Sequence, residues 1–161
     1  MTHSITRILV PLDLSAHSDR VVSYAIAFAS RIDAPLEFLN VVEDPFATGA
    51  WPAAFDVPAF PNLLEDFRED ARHKLGAFQR TATERGVHAT VAVEVGRPAP
   101  AILEHAERGH FDLIVMGTHG RTGFSHAFLG SVAERVLRKA ACPVLTVRLA
   151  DAANATGSAA A

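Results

Sequence analysis

Short apolar runs alternate with amphipathic helical stretches along the chain, and this alternation constrains the fold more than any other feature. The apolar runs predict five strands, at residues 8–12, 36–42, 87–95, 111–116 and 143–149. Apolar residues at helical spacing predict four helices between them, at residues 15–32, 64–82, 97–109 and 131–138. Strands that alternate with helices form a parallel sheet covered on both faces, so the predicted class is α/β.

Length and composition fit one domain of ordinary globular character. The chain has 161 residues, of which 49% are hydrophobic and 20% charged, and such a length buries a sizeable core. We find no internal repeat, so residues 1–149 are predicted to form one domain. The tail at residues 150–161 is small, polar and without periodicity, and is predicted to be disordered.

Charge and cysteine content narrow the partners and the compartment. A net charge of −3 argues against nucleic acid or an anionic membrane as a partner. The single cysteine, Cys142, fits a reducing compartment and is interpreted as a packed thiol. The N-terminus lacks a long apolar segment, and no run reaches the ~18 apolar residues of a membrane span. We therefore predict a cytoplasmic protein.

A glycine-rich segment lies between the fourth predicted strand and the last predicted helix. Residues 117–131 read G-T-H-G-R-T-G-F-S-H-A-F-L-G-S, with glycine at Gly117, Gly120, Gly123 and Gly130. Glycines allow backbone N–H groups to approach an anion, and a helix N-terminus adds unpaired donors and a favourable dipole. The segment predicts a phosphate site, and a tight turn alone is the alternative. It lacks the G-K-[ST] ending of a Walker loop.

Two helix starts are predicted from capping residues. Ser131 and Glu134 form a capping-box pattern, which places the start of the last helix at Ser131. The Ser131 hydroxyl then serves the cap, a phosphate oxygen, or both in turn, and the N–H groups of Ser131 and Val132 stay available to an anion. Ser15 and Ser18 are both candidate N-caps of the first helix.

The candidate ligand crevice lies at the carboxyl ends of the strands, where ligands bind in open parallel sheets. Two loops should meet there, one over residues 11–15 from Pro11 and one over residues 116–120 from Met116. Asp13 is suited to accept hydrogen bonds from a sugar hydroxyl beside a phosphate site, or else to cap the first helix. Arg121 is a phosphate contact or a solvated side chain, and His119 is placed to contact ligand.

Neither a metal centre nor a catalytic residue is predicted. The eight histidines include no H-E-x-x-H spacing, and no Cys/His/Asp arrangement for nucleophilic catalysis emerges.

Residues 43–61 contain four prolines and several aromatic side chains, which is typical of a long connecting loop. That loop is either a lid or contact surface, or a cover over apolar surface.

These residues resemble the universal stress protein family. Gly117, Gly120, Gly130 and Ser131 match, without a gap, the G-x2-G-x9-G-[ST] pattern of its ATP-binding branch. The resemblance covers roughly residues 5–149 and includes four shorter matching stretches: residues 8–13, 39–42, 131–137 and 142–145.

The resemblance implies a Rossmann-like, open five-stranded parallel sheet of the adenine nucleotide alpha hydrolase type, with order 3-2-1-4-5. It implies that Asp13 holds ribose and that the Val41 backbone faces adenine. It also implies ATP as cofactor, with Mg²⁺ held by the phosphates, and a homodimer through strand five at residues 143–149. The residues that would line ribose and phosphates are Gly117, His119, Gly120, Gly130, Ser131 and Val132.

The leading functional hypothesis is an ATP-binding stress-response and signalling module with slow or no hydrolysis. Fast phosphoryl transfer needs positioned cations and an oriented nucleophile, and the glycine-rich segment offers no lysine and no carboxylate for them. A second hypothesis is a slow ATPase or nucleotidyl-transfer enzyme. A third is a nucleotide-free interaction protein that uses the loop at residues 43–61 and the dimer surface.

Overall fold

The computed structural model describes residues 4–43, 62–118 and 129–148. Within them, strands and helices alternate as predicted and the strands form one parallel sheet in the order β3-β2-β1-β4-β5. The predicted α/β class and the order 3-2-1-4-5 are therefore confirmed. The elements are β1 (Ile8–Pro11), α1 (Ser18–Ile32), β2 (Leu36–Val42), α2 (Leu63–Glu84), β3 (Ala89–Val95), α3 (Pro98–Arg108), β4 (Leu113–Gly117), α4 (Ser131–Lys139) and β5 (Val144–Val147).

The sheet separates two apolar layers. Ile8, Val10 and Phe38 point to the layer that holds α1 and α2, and all three are fully buried. Leu9 and Ile114 point to the opposite layer, with α3 and α4. Side chains alternate between the two faces along a strand, so strands covered on both sides read as continuous apolar runs. Burial of each such side chain contributes roughly 1.5–3 kcal/mol.

The ends of α2 and α3 share one capping motif. After α2, the Gly86 N–H donates to the Thr83 carbonyl (2.9 Å) and the Val87 N–H to the Ala82 carbonyl (3.0 Å). Gly86 has φ +77°, the left-handed conformation this motif requires, and this is why β3 begins at Ala89 and not at residue 87. After α3, which ends at Arg108 with Gly109 as its C-cap, His110 takes the left-handed position with φ 51°.

Gly109 is required for a different reason, because the Phe111 ring lies against it. A Cβ atom on Gly109 would lie 2.3 Å from Phe111 Cε2. The ring cannot move away easily: it stacks on His105, with centroids 5.9 Å apart, and the Arg7 guanidinium lies 4.5 Å from its centroid.

Gly109→Ala is therefore expected to lower the free energy of unfolding by about 1–3 kcal/mol, the usual cost of overpacking. Urea unfolding measures this. Gly76→Ala is the control, since its added methyl meets only Arg80 Nη1 at 3.7 Å and replaces a glycine inside α2. That variant should be slightly more stable than the parent, by up to about 1 kcal/mol. A Gly109→Ala protein as stable as the parent would refute the packing argument.

A charged cluster fastens α3 to the sheet. His105 lies between two carboxylates, with Nε2 2.5 Å from Glu37 Oε1 and Nδ1 2.8 Å from Glu94 Oε1. Arg108 also donates to Glu94, and Arg7 Nη2 lies 3.9 Å from Glu37 Oε2. Both histidine contacts are hydrogen bonds only when each ring nitrogen carries a proton. The hydrogen bond from His105 and the charge of Arg108 hold the pKa of Glu94 below its usual range.

The lowered pKa of Glu94 makes stability depend on pH in a defined direction. A carboxyl whose pKa is depressed by folding stabilises the protein above its unfolded pKa of ~4.3, and this contribution disappears as pH falls through the folded pKa. Glu94→Gln is therefore expected to reduce the free energy of unfolding at pH 6–7, and the difference from the parent should shrink below about pH 4. Denaturant unfolding between pH 3.5 and 7 measures the difference.

Glu104→Gln removes a carboxylate from an exposed position of α3, the helix that carries His105 and Arg108, and serves as the control. Its unfolding free energy should stay close to that of the parent across the range. If the unfolding free energy of Glu94→Gln differed from that of the parent by the same amount at every pH, the charge of Glu94 would not make stability depend on pH.

Among the described residues, no helix combines the length and apolar character that crossing a membrane requires.

Cys142 is half-buried beside α3, and burial raises the pKa of its thiol, which agrees with its interpretation as a packed thiol. It lines a groove of about 270 Å³ at the amino end of β5, with Leu103, Ala106, Glu107 and Phe111.

Candidate functional site

The carboxyl ends of β1 and β4 define the candidate site. β1 pairs with β2 on one side and with β4 on the other, so the chain order of the strands reverses between β1 and β4. The chain leaves β1 toward α1 and leaves β4 toward α4, and these helices cover opposite faces of the sheet. A crevice at such a switch point is the usual ligand site of an open parallel sheet.

Asp13 organises the turn that follows β1. Its Oδ1 accepts hydrogen bonds from the Ser15 N–H (3.1 Å) and the Ser18 hydroxyl (3.3 Å). Its Oδ2 is buried and has no hydrogen-bond partner among the residues that the structure describes. A buried carboxylate oxygen without a partner is costly, so it indicates a donor supplied from elsewhere.

The predicted N-caps of α1 are wrong. The N-cap position belongs to His17, whose side chain makes no capping bond, and α1 begins only at Ser18. Ser15 instead accepts the His17 N–H at 3.3 Å, and Ser18 donates to Asp13. Both serines therefore take part in the turn around Asp13, Ser15 through its N–H and Ser18 through its hydroxyl. Asp13 therefore shapes the approach to α1 and does not cap the helix.

The start of α4 is where the sequence places it, but the predicted capping box is wrong. Ser131 is the first helical residue, Gly130 is the N-cap, and no side chain makes a capping bond. The Glu134 N–H donates to the Gly130 carbonyl (2.8 Å), while the Glu134 side chain accepts from Arg138 at 2.6 Å. The Ser131 hydroxyl is thus not used as a cap, and the first-turn N–H groups of Ser131 and Val132 have no acceptor within the helix.

Hydrogen bonds join the two ends of the glycine-rich segment. The Gly130 N–H donates to the Thr118 carbonyl at 2.8 Å, and the Thr118 N–H donates to the Val147 carbonyl at 3.1 Å. These bonds hold the start of α4 against the carboxyl ends of β4 and β5. Gly130 is extended, with φ −60° and ψ 146°, so a positive φ is not the reason for glycine at this position.

The structure brings the other described site residues to the same edge of the sheet. Pro11 ends β1, Met116 and Gly117 end β4, and Val41 lies one residue before the end of β2. Pro11 and Met116 are buried, whereas Val41 and Gly117 are partly exposed. The predictions for His119, Gly120, Arg121, the tail at residues 150–161 and all but the first residue of the loop at 43–61 lie outside the described residues.

Sequence reasoning missed Asn40. It is a buried amide in β2, 8% exposed, and its Nδ2 donates to the Leu12 carbonyl at 2.8 Å. The signal was present, because Asn40 lies among the apolar residues Phe38, Leu39, Val41 and Val42 of β2, and a buried polar side chain there must have a specific partner. Among the described residues, no three His, Cys, Asp or Glu side chains are grouped so as to hold a metal ion.

Fold and site together define an α/β protein whose candidate ligand site lies at the switch point of a five-stranded parallel sheet. The sequence matches the Universal stress protein family over residues 4–148, and the chain belongs to that family. The Universal stress protein MJ0531 of Methanocaldococcus jannaschii is 37% identical over 147 residues, which cover 88% of this chain and 81% of that protein.

Solved structures agree with this membership. MJ0577 of Methanocaldococcus jannaschii matches with a TM-score of 0.79 and 27% identity, covering 93% of this chain and 100% of that one. A universal stress protein of Arabidopsis thaliana with AMP bound matches with a TM-score of 0.66 and 18% identity, covering 94% and 97%. At that identity the likeness shows the fold alone. Nucleotides are therefore bound by some proteins that share this fold.

Proposed function

We propose that the protein is an ATP-binding universal stress protein, acting as a nucleotide-dependent stress-response and signalling module with slow or no hydrolysis. The observation that carries the proposal is the buried, unpartnered Oδ2 of Asp13. It lies in the turn after β1, at the sheet edge where α4 begins. A ribose hydroxyl is a neutral donor that this oxygen can accept, whereas a phosphate oxygen would be repelled.

The amino end of α4 supports phosphate binding in the same crevice. Its first-turn N–H groups have no intrahelical acceptor, and the helix dipole favours negative charge at that end. Gly117 and Gly130 lie near the two ends of the glycine-rich segment, where each presents backbone without a side chain. We infer that His119, Gly120 and Arg121 complete the site, with Val41 beside adenine. Mg²⁺ would be held mainly by the phosphates, as is usual for this ion in nucleotide sites.

The proposed role is binding, because the residues needed for fast phosphoryl transfer are not evident. Residues 117–131 contain no lysine, aspartate or glutamate. Enzymes that transfer phosphoryl groups rapidly position cations and a base or water-orienting residue around the transferred group. ATP would then be a state signal and not a rapidly consumed substrate.

The edge strand β5 supports a homodimer. Leu145 is 40% exposed on β5, and Leu137 is 41% exposed on the neighbouring α4. An open strand edge flanked by apolar side chains favours pairing with another strand. We propose that two copies pair through β5, which is Val144–Val147 and so shorter than the predicted 143–149. We also propose a cytoplasmic protein with one domain at residues 1–149.

The test is to denature the purified protein and identify the released nucleotide by chromatography, then titrate stripped protein with ATP. Release of an adenine nucleotide, or saturable ATP binding, supports the proposal. Undetectable binding at millimolar ATP would favour a nucleotide-free interaction protein. Hydrolysis faster than ~1 s⁻¹, the low end of ordinary turnover, would favour an enzyme.

A further inference from the structure

Asn40 fixes the point where the chain leaves β1. Its side chain donates to the Leu12 carbonyl at 2.8 Å, and the Leu12 N–H donates to the Leu39 carbonyl at the same distance. Both backbone polar groups of Leu12 are therefore bound to β2, one residue beyond the last residue of β1. Without the Asn40 amide, the Leu12 carbonyl would lack this bond in a buried position, since Leu12 is 6% exposed.

The residues after Leu12 need such support. Leu14 has φ 59°, a left-handed conformation that a leucine rarely adopts. This conformation persists only where the surroundings impose it. It turns the chain so that Ser15 N–H and Ser18 hydroxyl reach Oδ1 of Asp13, leaving Oδ2 unpartnered.

We infer that Asn40 is a positioning residue for nucleotide binding: through Leu12 it fixes the direction in which Asp13 presents its unpartnered oxygen to a ribose hydroxyl. The inference rests on the proposed function. Asn40 does not touch the nucleotide in this account. It acts because a hydrogen bond weakens steeply when its angle or distance is wrong, and a site that is loose by about 1 Å loses much of its affinity.

Two variants remove the Asn40 donor and keep the number and branching of the side-chain heavy atoms: Asn40→Leu and Asn40→Asp. Affinity is measured by calorimetry for ATP and for 2′,3′-dideoxy-ATP, which lacks both ribose hydroxyls. The proteins are the parent, each Asn40 variant, Asp13→Asn and the double variant Asp13→Asn with Asn40→Leu. Gly86→Ala is the control for reduced stability, since its left-handed glycine joins α2 to β3 and makes no contact with β1.

Asn40→Leu is expected to weaken ATP binding about 5- to 10-fold, to leave dideoxy-ATP binding nearly unchanged, and to add no further loss to Asp13→Asn. Gly86→Ala should melt at a lower temperature with unchanged affinity. Equal losses for both nucleotides, a further loss in the Asp13→Asn background, or unchanged ATP affinity would each overturn the inference. Asn40→Asp gives the same comparison if Asn40→Leu fails to fold.

The same data separate the inference from the proposed function. If the parent protein does not bind ATP, both are wrong. If the parent binds ATP and Asp13→Asn weakens it, while the Asn40 variants bind as the parent does, only the inference is wrong.

Discussion

Replacing Asp13 with asparagine is expected to weaken ATP binding about 10- to 150-fold, the equivalent of one charge-assisted hydrogen bond worth 1.5–3 kcal/mol. The turn uses Oδ1 of Asp13, whereas the buried Oδ2 has no hydrogen-bond partner among the described residues. Asparagine keeps an oxygen for Ser15 and Ser18 but removes the charge and replaces the free acceptor with a donor. The fold should therefore persist while ribose binding is lost.

Calorimetric titration of stripped protein with ATP measures the effect, and thermal melting shows whether the fold is kept. Asp33→Asn is the matched control. It makes the same chemical change at the other end of α1, where Asp33 is left-handed with φ 54°, a conformation that asparagine also tolerates. Parent-like affinity in Asp13→Asn would show that this carboxylate does not hold the ligand.

Replacing Gly130 with alanine is expected to weaken ATP binding about 100-fold, as two charge-assisted hydrogen bonds are weakened, while hardly changing stability. Gly130 has φ −60° and ψ 146°, values that alanine adopts without strain. Its N–H bond to Thr118 and its carbonyl bond to Glu134 do not involve a side chain. If phosphate approaches this backbone closely, a methyl group on Gly130 would hold it away.

The comparison for Gly130→Ala is Gly76→Ala, which adds the same methyl group in the middle of α2, where it meets only ordinary contacts. Both variants should melt near or above the parent temperature, and only Gly130→Ala should lose affinity. Unchanged affinity in Gly130→Ala would count against phosphate binding at α4. Loss of both affinity and stability would place the role of Gly130 in folding.

The fold was predictable because its signal is local and repeated. Each strand is an apolar run bounded by turn residues, and alternation with helices leaves few arrangements other than a parallel sheet. Gly86 and Gly109 marked helix ends correctly, since each occupies a position where a side chain is strained or blocked. The edge of the sheet that carries Asp13 and Ser131 followed from the same topology.

The capping predictions failed because a serine has several partners within reach. Ser15 and Ser18 were expected to cap α1, yet both take part in the turn around Asp13. Ser131 matched a capping box, but Glu134 pairs with Arg138 one turn further along the exposed face of α4. For α4 the capping pattern gave the residue where the helix starts but not the bonds made there.

Long-range polar contacts could not be predicted from the sequence. His105 contacts Glu37, which is 68 residues away along the chain. Asn40 of β2 donates a hydrogen bond to Leu12, which follows the neighbouring strand β1. Their partners depend on strand order and register, which are fixed only once the sheet has formed. A polar residue inside an apolar strand signals that a partner exists but does not identify it.

We propose that backbone amides at the start of α4 and the carboxylate of Asp13 bind one nucleotide. The most direct measurement is an amide NMR titration of stripped, ¹⁵N-labelled protein with Mg·ATP. We expect the largest saturable shifts at Gly117, Ser131 and Val132, together with shifts at Asp13 and Ser15. Shifts confined to other regions, such as the groove beside Cys142, or no shifts at millimolar ATP, would contradict it.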